Sequence, residues 1–243
     1  MEKIVCLLLP EKKTGNEQEE FHLEYIKANL VQTPEISVLQ AQKETARFAQ
    51  YVQQMFAGIM EMFDLTDAKA ITKHYEKITH QEEITDQMEM EIARYLEQVS
   101  NDHLSDDTKG KVRQMLREIS ELESIGDSCH KLARTLSHHP DLNQVLPQNV
   151  LATLRSMMQL TGTALTHMNT IMTSQLSRRG INEAYRIEND INQMRNTLKK
   201  ENIRSVDDHQ YPYAVGTVYS DLINECENLG DYVVNVVQAR YGV

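Results

Sequence analysis

The chain has 243 residues, which is enough for one large domain or two of ordinary size. Apolar residues make up 40% of it and charged residues 25%, a balance that excludes an intrinsically disordered protein. The formal net charge of −11 argues against nucleic-acid binding, which needs clustered Lys and Arg, and against direct binding to anionic lipid.

Residue usage favours long helices over strands. Only nine Gly and five Pro interrupt the chain, whereas Met occurs twelve times. The three cysteines, Cys6, Cys129 and Cys226, are far apart and show no zinc-binding spacing, so we expect them to be reduced in a cytosolic compartment. Cys129 and Cys226 fall on apolar stripes and are predicted to be small buried side chains.

The first 32 residues are predicted to be an N-terminal segment and a linker. The apolar run over residues 4–9 is far shorter than the roughly 20 residues that span a bilayer, and it lacks the features of a signal peptide. It either packs on the helices or ends a longer chain whose membrane part lies upstream. Residues 10–20 are polar and patternless, which predicts an exposed linker.

Three helices are predicted in the first half. Thr33 and Pro34 are a helix start, and the first helix runs to about Phe63. A turn over residues 64–67 leads to a second helix that ends near Val99. Ser105 caps the third helix, which closes at His138-His139-Pro140.

Three further helices are predicted in the second half. Pro147 opens a fourth helix that ends near Leu176, and a fifth runs over about 181–203. Pro212 opens a sixth that reaches nearly to the C-terminus. Helices of this length with short links are typical of up-down bundles, so the fold is predicted to be all-α.

Two segments recur between the halves. Residues 82–88 resemble residues 188–194 at an offset of 106, and residues 121–127 resemble residues 225–231 at an offset of 104. The repeat predicts two tandem three-helix bundles, residues 33–140 and 141–243, made of six long helices in all.

Each repeat carries acidic pairs on its second and third helices. Glu123 and Asp127, like Glu227 and Asp231, are four residues apart and therefore share one helix face. Gly126 lowers helix stability by roughly 1 kcal/mol, which indicates close approach of another helix or a ligand. The pairs are a metal site, a solvated acidic face, or partners of Lys and Arg across the bundle.

The recurring motifs resemble the signature of the PhoU family of phosphate-transport regulators. Residues 123–127 and 227–235 are similar to its Glu-Arg-Ile-Gly-Asp-x-x-x-Asn pattern, and Glu82 with Asp86 resembles its middle-helix acidic pair. Residues 30–34, at the start of the first helix, resemble the PhoU domains that are fused behind the membrane domain of sodium/phosphate cotransporter-like proteins. The resemblance covers about residues 25–243.

The resemblance implies multinuclear metal clusters of iron, manganese or zinc held by carboxylates of both repeats. The implied ligands are Glu82, Asp86, Glu123 and Asp127 in the first repeat and Glu188, Glu227 and Asp231 in the second. Asn192 departs from the pattern by replacing the second carboxylate of its pair, and Lys131 stands where the signature has Asn.

The implied function is non-enzymatic regulation of phosphate transport. The expected partner is a phosphate transporter membrane domain or a sensor protein, with a second copy of the chain as a further candidate. This places the chain at the cytoplasmic face of the membrane, as part of a membrane protein but without insertion of this segment. The alternatives are a carboxylate-bridged metalloenzyme and a metal-free helical adaptor. The first needs Glu-x-x-His motifs, which the predicted helices lack. His130 is expected to be an ordinary interface histidine.

Overall fold

A computed structural model describes residues 23–26, 33–101, 104–174 and 177–243. Every regular element in these residues is a helix, so the predicted all-α class is confirmed. In chain order the helices are α1 (Pro34–Phe63), α2 (Ala68–Ser100), α3 (Asp106–His138), α4 (Leu142–Val145), α5 (Gln148–Thr173), α6 (Arg178–Asp207) and α7 (Tyr213–Tyr241).

Local capping chemistry explains where the long helices begin and end. The side chain of Asp67 accepts a hydrogen bond from the N–H of Ala70 at the start of α2, and Ser105 does the same for Thr108 at the start of α3. These bonds satisfy amides that have no partner within the helix. At the other end of the chain, Gly242 adopts φ 73° and closes α7 in the left-handed conformation that favours glycine.

The structure corrects three boundaries, including the end of α6 at Asp207 instead of near residue 203, and it adds one element. Helix α6 begins at Arg178 because Ser177 caps it, and α5 ends at Thr173 because Ser174 is extended. The short α4 was not predicted. It is anchored by buried Leu142 and by Asn143, whose side-chain amide donates to the carbonyl oxygen of Phe63 at 2.7 Å.

The helices pack as two interlocked triplets. Helices α1, α2 and α3 contact one another, as do α5, α6 and α7. The triplets meet where α3 packs on α7 and α1 packs on α5. Exchanging α1 with α5, α2 with α6 and α3 with α7 leaves this pattern unchanged, as expected for a duplicated unit. The division near residue 140 stays a prediction, since the buried side chains of both triplets form one continuous core.

The predicted apolar stripes supply that core. Most of the clustered methionines are buried in it, and Cys129 and Cys226 are fully buried free thiols. Burial raises the pKa of Cys226 to about 12, so its thiol stays protonated. Tyr211 is a buried anchor before α7, whereas Tyr213 is exposed.

The N-terminal predictions fall mostly outside the described residues. This applies to the linker over residues 10–20, to Cys6 and to the apolar run over residues 4–9. Residues 23–26 are described, and they lie against α1. The fully buried carboxylate of Glu44 accepts the backbone N–H groups of Glu24 and Tyr25 at 2.9 and 2.8 Å. In the described part of the chain, no helix has the length and apolar character that crossing a membrane requires.

Candidate metal centre

A glycine sets the distance between the two helices that carry the first acidic pairs. A Cβ atom on Gly126 of α3 would lie 2.7 Å from Oγ1 of Thr85 on α2. In the second repeat, a Cβ atom on Gly230 would lie 3.1 Å from Cδ1 of Ile191. Thr85 and Ile191 are 106 residues apart, which is the offset of the repeat, so the equivalent positions make equivalent helix contacts.

Three predicted ligands of the first repeat converge across α2 and α3. Carboxylate oxygens of Glu82, Asp86 and Asp127 all lie within 4.8 Å of one another. Glu82 and Asp86 are one turn apart on α2, and Asp127 follows Gly126 directly, so the close helix approach brings the three together.

Two further carboxylates lie beside this group. Glu123 is half-buried one turn before Asp127, and its pKa is raised by burial and by the charges of Asp127, Glu89 and Asp86. Glu89 was not predicted as a site residue. It lies seven residues after Glu82 on the same face of α2, and that spacing was a sequence signal for it. Burial and Asp86 raise its pKa, and a hydrogen bond with Ser120 opposes them.

The first-repeat carboxylates are disposed to accept a cation. Burial, followed by Asp86, raises the pKa of Glu82, while His130 acts in the opposite direction. Burial, followed by Asp127, raises the pKa of Asp86. Crowded carboxylates repel one another unless they bind a proton or a cation. Oxygen donors on facing helices fit hard or borderline metals such as manganese, iron or magnesium, and zinc also accepts carboxylate oxygen.

Two basic side chains border the group. The ring of His130 stacks on Tyr75, and its Nδ1 is 3.8 Å from Oε1 of Glu82. These contacts place it at the α2–α3 interface. Lys131 is 57% exposed, and its Nζ is 3.9 Å from Oδ2 of Asp127. The ammonium is thus largely exposed while it forms an ion pair with Asp127 at the edge of the carboxylate group.

The second repeat differs in its charge. Glu188 lies close to Asp231 and Glu227, whose charges, after burial, raise its pKa. The side-chain amide of Asn192 donates a hydrogen bond to Glu188. The guanidinium of Arg195 then bridges the helices, with its Nη2 2.9 Å from Oε1 of Glu227.

The second-repeat residues therefore do not fit a metal as they stand. Among the described residues of this repeat, no three carboxylate, imidazole or thiol ligands converge as they do in the first. Asn192 alone was expected to weaken the site. The role of Arg195 was missed, although the repeat register aligns it with Glu89.

The first Glu of each third-helix motif serves the contact between repeats. Oε2 of Glu121 on α3 accepts a hydrogen bond from Asn235 on α7 at 3.0 Å. Reciprocally, Oε1 of Glu225 on α7 accepts one from Ser128 on α3 at 2.6 Å. Asn235, which keeps the Asn of the signature, thus bonds to the opposite repeat.

The family model described as the PhoU domain matches residues 45–136. Residues 45–136 are therefore similar to the PhoU domain. Comparison with curated proteins gives no match. The PhoU domain match includes all of α2 and α3 as far as residue 136. It therefore contains the five crowded carboxylates of the first repeat.

Solved PhoU structures share the fold over most of the chain. The phosphate transport system regulatory protein PhoU from Streptococcus pneumoniae has a TM-score of 0.69 at 19% identity, covering 85% of this chain and 94% of that chain. PhoU from Pseudomonas aeruginosa has a TM-score of 0.66 at 11% identity, covering 85% and 96%. A PhoU-like phosphate regulatory protein from Shewanella oneidensis MR-1 has a TM-score of 0.58 at 13% identity, covering 82% and 96%. At these identities the likeness establishes the fold alone.

Proposed function

We propose that this chain is a regulatory protein of phosphate transport that acts by docking and whose first repeat responds to a bound metal. The observation that carries the proposal is the PhoU domain match at residues 45–136, which contains the converging carboxylates of Glu82, Asp86 and Asp127. Solved relatives of the same fold carry that regulatory description in their own names.

The metal would act on the contact between α2 and α3. Glu82 and Asp86 belong to α2, whereas Glu123 and Asp127 belong to α3, so a cation held by all four links the two helices. Without it, like charges across the interface oppose close packing. A cation would therefore change the shape or rigidity of this face. The ion would come from the iron, manganese and zinc group that suits such ligands.

The docking partner in this proposal is the membrane domain of a phosphate transporter. Its support is the resemblance of residues 30–34 to cotransporter-fused PhoU domains, together with the reduced, buried Cys129 and Cys226. The chain would then work at the cytoplasmic face of the membrane. The support for a regulatory role is that solved proteins of the same fold are described in their names as phosphate regulatory proteins.

Phosphate uptake in the source organism tests the proposal. We expect deletion of this chain to abolish the adjustment of labelled phosphate uptake to external phosphate. Asp86→Asn with Asp127→Asn should reproduce the deletion, because it removes two carboxylates from the converging group. The matched control is Glu76→Gln with Glu97→Gln, which removes the same charge from exposed positions of α2.

The outcomes separate the two parts of the proposal. If uptake adjusts normally after deletion, the regulatory function is wrong. If deletion matters but the Asp86 and Asp127 variant behaves like its control, regulation stands and the metal has no part in it.

A further inference from the structure

We infer that Arg195 is a built-in cation that takes the place of a metal in the second repeat and makes the α6–α7 pair independent of metal. The inference rests on the proposed function for its comparison with the first repeat. It concerns a residue outside the matched PhoU domain, and it assigns different roles to the two repeats.

The register of the repeat aligns positions of α2 with positions of α6. The offset of 106 residues aligns Glu82 with Glu188, Asp86 with Asn192 and Glu89 with Arg195. The structure supports this register independently, because the glycine of each third helix faces the aligned positions Thr85 and Ile191.

The two repeats differ in charge at these aligned positions. The first repeat has five carboxylates there, and the second has three carboxylates, one amide and one guanidinium. The positions are Glu82, Asp86, Glu89, Glu123 and Asp127 against Glu188, Asn192, Arg195, Glu227 and Asp231. The two changes on α6 remove negative charge and add positive charge at the same face.

The guanidinium of Arg195 lies between α6 and α7. Nη2 of Arg195 is 2.9 Å from Oε1 of Glu227 on α7 and 3.4 Å from Oδ1 of Asn192. The side chain is 26% exposed and its partner Glu227 is 16% exposed, so the contact is held largely away from water. It links α6 to α7 as a metal would link α2 to α3.

The consequence follows from the chemistry of arginine. A guanidinium stays charged at every pH at which the protein folds, and here its Nη2 contacts the carboxylate oxygen of Glu227 and the amide oxygen of Asn192. A divalent ion brought to Glu227 would be repelled by this fixed charge. The second repeat therefore keeps one conformation whatever the metal supply, and metal-dependent change is confined to α2 and α3.

Manganese binding by engineered second repeats tests the inference. In the 243-residue chain that carries Asp86→Asn and Asp127→Asn, we expect little Mn²⁺ binding. Adding Asn192→Asp and Arg195→Glu should raise Mn²⁺ affinity at least about 10-fold, and Glu227→Gln with Asp231→Asn should then remove the gain. The control is Arg186→Glu with Asn196→Asp in the same background, which makes the same charge change at exposed positions of α6. Equilibrium dialysis with elemental analysis measures binding, and circular dichroism reports folding.

Each outcome bears on one claim. If the Asp86 and Asp127 variant already binds Mn²⁺ through Glu227 and Asp231, or if the Arg195 variant gains nothing, Arg195 does not exclude metal. If the wild type binds no Mn²⁺ but the Arg195 variant does, the first-repeat metal is wrong and Arg195 still acts as inferred. Should Arg195→Glu not fold, Arg195→Gln gives the same test. Its melting temperature should rise with Mn²⁺ by more than that of the Asp86 and Asp127 background alone, and an equal response overturns the inference.

Discussion

The hydroxyl oxygen of Thr85 lies only 2.7 Å from the position that a Cβ atom on Gly126 would occupy. The Cβ and Cγ2 atoms of Thr85 are also close, at 3.2 and 3.3 Å, so rotating the hydroxyl away does not clear the space. Helices α2 and α3 can approach this closely only because residue 126 has no side chain. The approach in turn brings Asp127 to Glu82 and Asp86.

Replacing Gly126 with Ala should therefore destabilise the protein. The gain in helix propensity, about 1 kcal/mol, is opposed by overpacking that costs about 1 to 3 kcal/mol. We expect a net loss of about 1 kcal/mol in the free energy of unfolding, measured by urea denaturation. Gly110→Ala on the same helix is the control. It meets no atom within 4 Å and should stabilise by about 0.4 to 1 kcal/mol. Equal effects at both positions would mean that the contact with Thr85 is not tight.

A buried carboxylate between the repeats should make stability depend on pH. Glu118 is 1% exposed on α3, and its Oε1 is 3.7 Å from Nη1 of Arg240 on α7. Neither of its side-chain oxygens has a hydrogen-bond partner. Burial raises the pKa of Glu118 to about 7, although Arg240 acts to lower it. Between pH 4.5, the ordinary pKa of a glutamate, and about pH 7, the carboxyl of Glu118 is therefore protonated in the folded state and ionised in the unfolded state.

The free energy of unfolding should accordingly fall as pH rises from about 4.5 to about 7, relative to Glu118→Gln. The fall is on the order of 3 kcal/mol at most, because each pKa unit corresponds to about 1.4 kcal/mol. Urea denaturation of both proteins from about pH 5 to about pH 8 measures it. Glu97→Gln, at an exposed position of α2, should track the wild type across the range. A constant difference between wild type and Glu118→Gln would contradict the prediction.

Glu44 should hold the segment over residues 23–26 on α1. Its Oε2 accepts two backbone N–H groups of that segment, and its Oε1 accepts Nη1 of Arg47 at 2.7 Å. In Glu44→Gln an amide nitrogen replaces one acceptor, so donors are left unsatisfied at a cost of about 1 to 3 kcal/mol. We expect faster amide exchange at Glu24 and Tyr25 and faster chymotrypsin cleavage after Tyr25. Glu35→Gln, at an exposed position of α1, is the control, and an unchanged exchange rate in Glu44→Gln would show that other contacts hold the segment.

Local signals made most of the fold predictable. Proline and capping residues act within one turn of a helix, so Pro34, Ser105 and Pro212 marked starts that the structure confirms. Helix α4 could not be predicted in this way. It depends on packing of Leu142 and on a hydrogen bond from Asn143 to the end of α1, both of which form only after the long helices have assembled.

The candidate site was predictable in part for a related reason. Spacing within one helix shows which carboxylates share a face, and this gave Glu82 with Asp86 and Glu123 with Asp127. The rotation of one helix against its neighbour decides what those faces meet, and spacing does not encode it. The bridge from Arg195 to Glu227 and the burial of Glu118 both depend on that rotation.

Metal should reverse the relative stability of the wild type and the variant Asp86→Asn with Asp127→Asn. In metal-free buffer the variant should be the more stable protein, because it lacks the repulsion that burial and neighbouring charges impose on the wild-type carboxylates. With Mn²⁺ the wild type should gain, since a ligand that binds only the folded state stabilises it by about 2.7 kcal/mol at 100 times the dissociation constant. Thermal melts give the melting temperatures of the wild type and of the variant in chelator and in Mn²⁺.

A reversal of the order of stability when Mn²⁺ is added distinguishes a metal site from a general effect of charge. The control variant Glu76→Gln with Glu97→Gln loses the same charge from exposed positions, so it should respond to Mn²⁺ as the wild type does. A metal that acted only by screening the net charge of −11 would stabilise all three proteins alike. If the wild type is already the more stable protein in chelator, the carboxylates are not under mutual repulsion. If Mn²⁺ stabilises the wild type no more than it stabilises the Asp86 and Asp127 variant, the carboxylates serve as a docking surface and hold no ion.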